Sequence, residues 1–132
     1  MQGVPESFQD LLEDESKAYA FFATLMPDGS PQITPVWFSV EGEYILINSN
    51  KGRVKDRNIR NNPKVAMAIM RLDQHFRYLQ IRGEVVDITA NGAVEHINIL
   101  SNKYDGHDFN LPDDHSRIIF KIKPMKVSSY AY

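Results

Sequence analysis

Residues 48–63 of the chain read Asn48-Ser49-Asn50-Lys51-Gly52-Arg53-Val54-Lys55-Asp56-Arg57-Asn58-Ile59-Arg60-Asn61-Asn62-Pro63. They follow an apolar run at residues 44–47 that is typical of a β-strand. The small and amide residues at the start favour a turn into a helix, and Pro63 favours its end. A helix start offers free backbone N–H groups beside the basic side chains. The segment therefore predicts an anion site, which we interpret as a phosphate site for a cofactor.

The charge of this segment differs from that of the whole chain. Its basic residues within ten positions are Lys51, Arg53, Lys55, Arg57 and Arg60. The whole chain has 15 Lys and Arg against 17 Asp and Glu, a formal net charge of -2. Nucleic-acid-binding domains usually have a basic excess, so we expect no nucleic-acid partner. A small barrel that binds nucleic acid through the basic helix stays open as an alternative, because a local patch can bind.

Composition limits the class of protein further. With 132 residues, the chain fits one domain over residues 1–132. Hydrophobic residues make up 42%, enough for a core, and the absence of cysteine excludes disulfides, thiolate metal sites and a cysteine nucleophile. The acidic N-terminal segment is unlike a signal peptide, and no apolar run is long enough to span a bilayer. We expect a cytoplasmic protein that does not bind membranes.

Apolar periodicity and turn residues predict a mostly β chain with helices. The expected helices are residues 5–18, 51–61 and 91–104, and the expected strands are residues 19–26, 32–40, 44–48, 65–70, 77–88, 118–122 and 127–130. We expect the first three strands to form a meander, with Pro35 at an edge or a bulge and Pro124 between the last two strands. Residues 104–114 are expected to form a loop. Short strands at this spacing predict a small β-barrel whose openings are covered by helices.

Several motifs occur in an order that resembles one known family. They are Ala23-Thr24-Leu25, Asp28-Gly29-Ser30-Pro31-Gln32, Thr34-Pro35-Val36-Trp37-Phe38, Gly52-Arg53-Val54-Lys55-Asp56-Arg57-Asn58, Asn62-Pro63 and Tyr78-Leu79-Gln80-Ile81-Arg82-Gly83-Glu84-Val85. Over about residues 20–104 the chain resembles the pyridoxamine 5′-phosphate oxidase-like flavin and deazaflavin oxidoreductases. The resemblance implies a split β-barrel of the FMN-binding type, with about six strands and flanking helices.

Two of these motifs together, residues 34–38 and 52–58, look like the branch of the family that uses the deazaflavin coenzyme F420. The resemblance therefore implies F420 as cofactor, with FMN as the alternative because FMN users carry a similar Arg/Lys phosphate clamp. It also implies a homodimer that holds the cofactor in a groove between subunits, and hydride transfer to a small organic substrate. A non-catalytic carrier of the cofactor stays open as another alternative.

The resemblance also implies a set of cofactor-binding residues. They are Gln32, Pro35, Val36, Asn48, Arg53, Val54, Lys55, Phe76 and Tyr78. Arg53 and Lys55 are expected on the phosphate. The β2 residues Gln32, Pro35 and Val36 are expected along the ring, and Asn48 on the polar linker or ring edge. Phe76 and Tyr78, placed before the long strand, are expected to reach into the groove of the neighbouring subunit. A solvated basic helix and ordinary core or interface packing are the competing interpretations.

The sequence assigns no catalytic residue. Tyr78 and His75 are the nearest candidates for a proton donor by loop position. The four histidines lack metal-ligand spacing, so we expect no metal site. Neither a nucleophile elbow, a P-loop nor a Rossmann fingerprint occurs. Arg82 is expected to form an ion pair across the barrel, and the other basic residues of the 48–63 segment are expected to form surface or subunit ion pairs.

Overall fold

The computed structural model describes residues 1–111 and 116–132. Two 3₁₀ helices come first, followed by seven strands and two α-helices. The elements are the 3₁₀ helices Glu6–Leu12 and Asp14–Ser16, β1 (Tyr19–Leu25), β2 (Pro31–Val36), β3 (Ser39–Glu41), β4 (Tyr44–Asn50), α1 (Val54–Asn61), β5 (Lys64–Met70), β6 (Arg77–Thr89), α2 (Ala93–Asp105) and β7 (Arg117–Ala131). The mostly β class predicted from the sequence is confirmed.

All strands belong to one antiparallel sheet, in the order β2-β1-β5-β6-β7-β4-β3. Strands β2 and β3 lie at opposite edges of this sheet, yet only Trp37 and Phe38 separate them in the chain. Two residues can join the two edges only if the sheet curls round until the edges meet. The result is a split β-barrel, and Phe38 is fully buried at the join.

The core fills the inside of this barrel. Inward-facing residues alternate with outward-facing ones along β1, β5 and β6, as expected for strands with one buried face. Its largest fully buried side chains are Phe22, Phe38, Phe120, Leu11, Ile45, Ile47, Ile59, Ile69, Leu79, Ile81 and Ile122. A smaller cluster lies under α2, where Tyr104 stacks on Trp37 with 5.2 Å between ring centroids. Helix α2 thereby packs against the segment that joins β2 and β3.

The predicted meander of the first three strands is wrong. The hairpin of β1 and β2 forms, but the predicted strand at residues 32–40 is divided into β2 and β3 at Trp37 and Phe38. Strand β4 then pairs with β3 and β7, not with β2. Phe38 leaves the strand because its ring fills the core at the barrel join. Pro35 does lie on an edge strand, as predicted, where its missing N–H leaves no pairing position empty.

Two further predictions differ from the structure. The predicted helix at residues 5–18 is two short 3₁₀ helices, because Glu13 has an extended backbone and Leu11 is the only buried residue on the two helices. The two predicted final strands are one strand, β7, which continues through Pro124. A register shift opposite Gly83 accommodates the proline. The remaining helices and strands are confirmed to within a few residues.

At Gly83 the β6 backbone passes very close to β7. A Cβ atom added there would lie 2.6 Å from the carbonyl oxygen of Lys123 and 3.1 Å from Ile122 Cγ2. Only glycine fits this approach without moving the β7 backbone.

Neither α-helix of the described residues has the length and hydropathy that a membrane-crossing helix needs.

Candidate functional site

The junction between β4 and α1 is held in one conformation by Asp56. This carboxylate is 2% exposed and accepts hydrogen bonds from Gly52 N–H (2.8 Å) and from Arg60 Nε (2.7 Å). Arg57 Nη1 donates to the Gly52 carbonyl at 2.7 Å, and Arg57 forms no salt bridge with the described residues of its own chain. The predicted ion pair of Arg60 is confirmed. Together these contacts fix the turn that precedes α1.

Helix α1 begins with Arg53 as its N-cap residue, whose side chain makes no capping bond. The first backbone bond of the helix runs from Arg57 N–H to the Arg53 carbonyl, at 3.0 Å. The N–H groups of Val54 and Lys55 precede this bond and have no partner within the helix. They lie at the positive end of the helix dipole, next to two cationic side chains. The junction is therefore suited to an anion.

Lys55 is partly buried, whereas Arg53 is exposed. Burial, and secondly the nearby charge of Arg53, lower the pKa of Lys55 below its ordinary value. Arg53 and Lys55 are two positions apart, at the N-cap and in the first turn of α1. Among the residues that the structure describes, neither forms a salt bridge with a carboxylate. A bound anion would reduce the electrostatic repulsion between these two cations.

A third cation, Arg117, reaches the same junction from the first residue of β7. Its strand position pairs with Asn50 of β4, three residues before Arg53. Burial, and secondly the charge of Arg53, lower the pKa of Arg117. Sequence reasoning missed this residue, because no local pattern marks it. Only the pairing of β4 with β7 brings it beside the 48–63 segment.

The predicted site residue Asn48 is hydrogen-bonded within the chain. Its Nδ2 donates to the Ala93 carbonyl (2.8 Å) and to His96 Nδ1 (3.0 Å), and its Oδ1 accepts from Arg117 Nε (2.8 Å). A carbonyl on one side and a guanidinium on the other fix the orientation of the amide. His96 Nδ1 is therefore the acceptor, and Nε2–H donates to Ser39 Oγ at 2.9 Å. Asn48 thus connects α2 to Arg117.

His96 is 8% exposed and is uncharged at neutral pH. Burial, and secondly the charge of Arg117, lower the pKa of His96 from 6.5 to about 4. The unfolded chain, with the higher pKa, takes up the proton first as the pH falls. The free energy of unfolding should therefore decrease between pH 6.5 and pH 4.

We expect this pH dependence to be removed by His96→Asn. One pKa unit corresponds to about 1.4 kcal/mol, so roughly 2–3 kcal/mol should be lost by pH 4.5 in the wild type through this residue. Urea denaturation at pH 7 and pH 4.5 measures the loss in both proteins, and the carboxylates common to both cancel in the comparison. An equal acid loss in wild type and variant would contradict a neutral, buried His96.

The three predicted site residues of β2 do not share one face. Gln32 and Val36 pair with inward-facing residues of β1, whereas Pro35 pairs with Phe21 and points outward. Gln32 lies near α1, since Thr24 Oγ1 is 3.4 Å from its Oε1 and accepts from Asn58 Nδ2 at 3.0 Å. The structure therefore brings Gln32 to the side of the barrel that carries α1.

Phe76 and Tyr78 lie at the other end of the barrel from Arg117. Tyr78 is the second residue of β6, so the prediction that it precedes the strand is wrong, and its ring stacks on Tyr130 near the end of β7. Arg117 begins the same strand. At about 3.3 Å per residue, the two ends of β7 are separated by roughly 45 Å of strand. Within one chain these aromatic residues and the cations do not form one site.

A groove of about 520 Å³ lies on the outer face of β1, β5 and β6, and Arg53, Lys55 and Arg117 do not line it. Small side chains such as Ala23 and Ala66 form its floor, and Arg82 and Lys126 lie at its rim. Arg82 is exposed and makes no salt bridge with any residue that the structure describes, so its predicted ion pair is wrong. Within residues 1–111 and 116–132, no group of His, Asp and Glu side chains could hold a metal. His115 lies outside the described residues.

Comparison with known proteins identifies the family. The sequence profile of the family described as pyridoxamine 5′-phosphate oxidase matches residues 4–131. The chain therefore belongs to this family, and the resemblance noted from its motifs is confirmed. No curated protein sequence matches the chain.

Solved structures with the same fold support this assignment. An F420 reductase is 37% identical, with a TM-score of 0.84 over 95% of this chain and 98% of that one. The conserved hypothetical protein Rv2991 from Mycobacterium tuberculosis is 19% identical, with a TM-score of 0.75 over 97% of this chain and 85% of that one. General Stress Protein 26 from Bacillus anthracis is 16% identical, with a TM-score of 0.71 over 95% and 92%. The last two show the fold alone.

Proposed function

We propose that the protein is an oxidoreductase that binds F420 and transfers hydride to a small organic substrate. The observation that carries the proposal is the pair Arg53 and Lys55 at the start of α1, with no carboxylate partner among the described residues. The similarity to an F420 reductase supports the choice of cofactor. FMN is the alternative cofactor.

The residues at the junction fit the phosphate of either cofactor. Lys55 is partly buried near another cation, so a bound phosphate would remove a repulsion that the free protein carries. Arg53 can bind two phosphate oxygens with its planar fork, and Lys55 acts as a point charge. The N–H groups of the first turn of α1 add neutral donors.

In this proposal the chain binds and orients the cofactor and excludes water from it. When bound, the reduced deazaflavin supplies a hydride. Arg53, Lys55 and the N–H groups of the α1 start would hold its phosphate, and Gln32 would meet the ring from β2. No proton donor is assigned, because Tyr78 and the neighbouring His75 lie at the far end of the barrel within one chain.

We further propose that two copies of the chain form the active dimer. Phe76 and Tyr78 can complete a site with the cations only if they come from a second copy, given their separation within one chain. The outer groove supplies a suitable surface, since it is apolar on its floor and flanked by Ile33 and Met125, which are 64% and 63% exposed. Exposed apolar surface of this kind marks interfaces.

Ala66→Arg tests this dimer. The new guanidinium would lie in the floor of the groove beside Arg82, its pairing neighbour on β6, and would put buried like charges between the copies. We expect at least a 100-fold weaker dimer, measured by light scattering during size-exclusion chromatography across a dilution series. Ile99→Arg, on an exposed position of α2, is the control and should leave the mass unchanged. A wild-type protein that is monomeric at all concentrations would contradict the proposal.

Titration with both cofactors tests the proposed function. Purified protein is titrated with oxidised F420, reduced F420 and FMN, and binding is followed by fluorescence. Consumption of reduced F420 is then followed with enones and quinones as acceptors. Binding with turnover supports an F420-dependent enzyme, whereas binding without turnover of any acceptor indicates a carrier. Binding of FMN alone would identify FMN, in place of F420, as the cofactor. Binding of neither compound would refute the proposal.

A further inference from the structure

The Arg117 guanidinium is held through two of its nitrogens and on one face. Its Nε donates to Asn48 Oδ1 at 2.8 Å, and its Nη1 donates to Asn50 Oδ1 at 3.1 Å. The ring of Phe109 covers the guanidinium, with 5.2 Å from Cζ to the ring centroid. Of the five N–H groups of an arginine, the three others, on Nη1 and Nη2, make no hydrogen bond within the part of the chain that the structure describes.

Arg117 adjoins the turn that leads to α1. The Lys51 N–H donates to the Ser116 carbonyl at 2.8 Å, which ties the first residue of the turn to the residue before Arg117. The Arg53 N–H in turn lies 3.4 Å from the Asn50 carbonyl, and Asn50 is the strand partner of Arg117. Arg117 therefore lies next to the turn that precedes α1.

No carboxylate among the described residues forms a salt bridge with Arg117. Its two amide partners orient the guanidinium but carry no charge themselves. A partly buried cation is unfavourable without an anionic partner, and near Arg53 it is more so. An anion bound at the start of α1 would neutralise all three cations at once.

We propose that Arg117 binds the same anion as Arg53 and Lys55, and that Asn48 and His96 are positioning residues for it. The inference rests on the proposed anion site, but not on the identity of the redox cofactor. Asn48 fixes the Nε edge of the guanidinium, and His96 Nδ1 fixes the Asn48 amide. The amide predicted to contact the cofactor thus acts through Arg117.

The three cations define the chemistry of the ligand. Their combined charge suits a phosphate group that carries two negative charges, or two anionic groups close together, better than a single monoanion. Inorganic pyrophosphate has two anionic phosphate groups close together and no ring, so it is the probe. The binding of pyrophosphate reports on the three cations independently of any contact between a cofactor ring and the barrel.

The first experiment compares Arg117→Met with wild type by isothermal titration with pyrophosphate. Methionine keeps an apolar contact for Phe109 but removes the charge and the donors. We expect at least tenfold weaker binding, as for Arg53→Met. Arg71→Met is the matched control, since Arg71 pairs with Asp73 at 2.8 Å in a distant loop, and its affinity should equal that of wild type. Wild-type affinity in Arg117→Met would overturn the inference.

The second experiment separates positioning from packing. His96→Asn keeps an acceptor near the place of Nδ1, whereas His96→Leu fills the space without one. We expect His96→Leu to bind pyrophosphate three- to tenfold more weakly and His96→Asn to recover most of the affinity. In NMR spectra, pyrophosphate should shift the Arg117 Nε–H resonance of wild type. Equal affinity in both His96 variants and wild type would overturn the positioning role.

The outcomes distinguish this inference from the proposed function. Pyrophosphate binding that depends on Arg117, together with no response to F420 or FMN, would refute the cofactor and support the anion site. Cofactor binding that is insensitive to Arg117→Met, with no shift of its Nε–H resonance, would refute the inference and leave the cofactor in place.

Discussion

The variant Arg53→Ala/Lys55→Ala should lose most of its affinity for F420, or for FMN if that is the cofactor. Each charge-assisted hydrogen bond contributes about 1.5–3 kcal/mol, so two such bonds correspond to roughly a 10²- to 10⁴-fold change in Kd. The fold should remain intact, because Arg53 is exposed and its side chain makes no capping bond to α1. Fluorescence titration gives Kd, and circular dichroism monitors the fold.

A charge-matched control makes this result specific. The variant Lys51→Ala/Arg71→Ala also removes two positive charges, one exposed beside the turn and one in a distant loop. If general electrostatic attraction alone held the cofactor, both double variants would weaken binding equally. We expect the control to change Kd by less than about threefold. Unchanged affinity in Arg53→Ala/Lys55→Ala would exclude the start of α1 as the phosphate site.

The second large effect is expected on stability, in Gly83→Ala. The new Cβ would lie 2.6 Å from the Lys123 carbonyl oxygen, so the β7 backbone has to move. Overpacking of this kind typically costs 1–3 kcal/mol, and we expect a loss near the upper end because a backbone atom, not a side chain, blocks the space. Urea denaturation with an unchanged m-value measures the loss.

Gly42→Ala is the comparison for this prediction. Gly42 has a φ of +61° in the turn between β3 and β4, and a Cβ there would meet nothing within 4 Å. The substitution carries only the backbone cost of a left-handed residue, about 1 kcal/mol. A greater loss of stability in Gly42→Ala than in Gly83→Ala would show that the close approach of β6 and β7 relaxes easily.

Local patterns predicted much of this fold. The basic helix, the strand at residues 65–70 and the long strand β6 each have a clear apolar period or a clear turn at their ends. The predicted meander is wrong because no local sequence pattern shows which distant strands pair with each other. The run at residues 32–40 has strand character throughout, and only the burial of Phe38 in the closed barrel explains why the strand divides there.

The candidate site was predicted in part for the same reason. Arg53 and Lys55 belong to one segment, so their pattern was visible in the sequence. Arg117 and His96 reach them only through the pairing of β4 with β7 and the packing of α2. Asn48 lies on β4 as predicted, although the strand continues to Asn50 and does not end at Asn48, and the hydrogen-bond partners of Asn48 are far away in the chain.

The join at Trp37 and Phe38 also affects how the chain can assemble during synthesis. Residues up to Asn50 provide two separate hairpins, β1 with β2 and β3 with β4, which share no hydrogen-bonded edge. The strands that connect these hairpins, β5 to β7, all follow α1, and β4 finds its second partner only in β7. The hairpin of β1 and β2 can pair with β5 as soon as β5 emerges from the ribosome, whereas the hairpin of β3 and β4 lacks its second partner until β7 has emerged. This delay leaves an apolar hairpin exposed and makes the nascent protein a candidate client of chaperones.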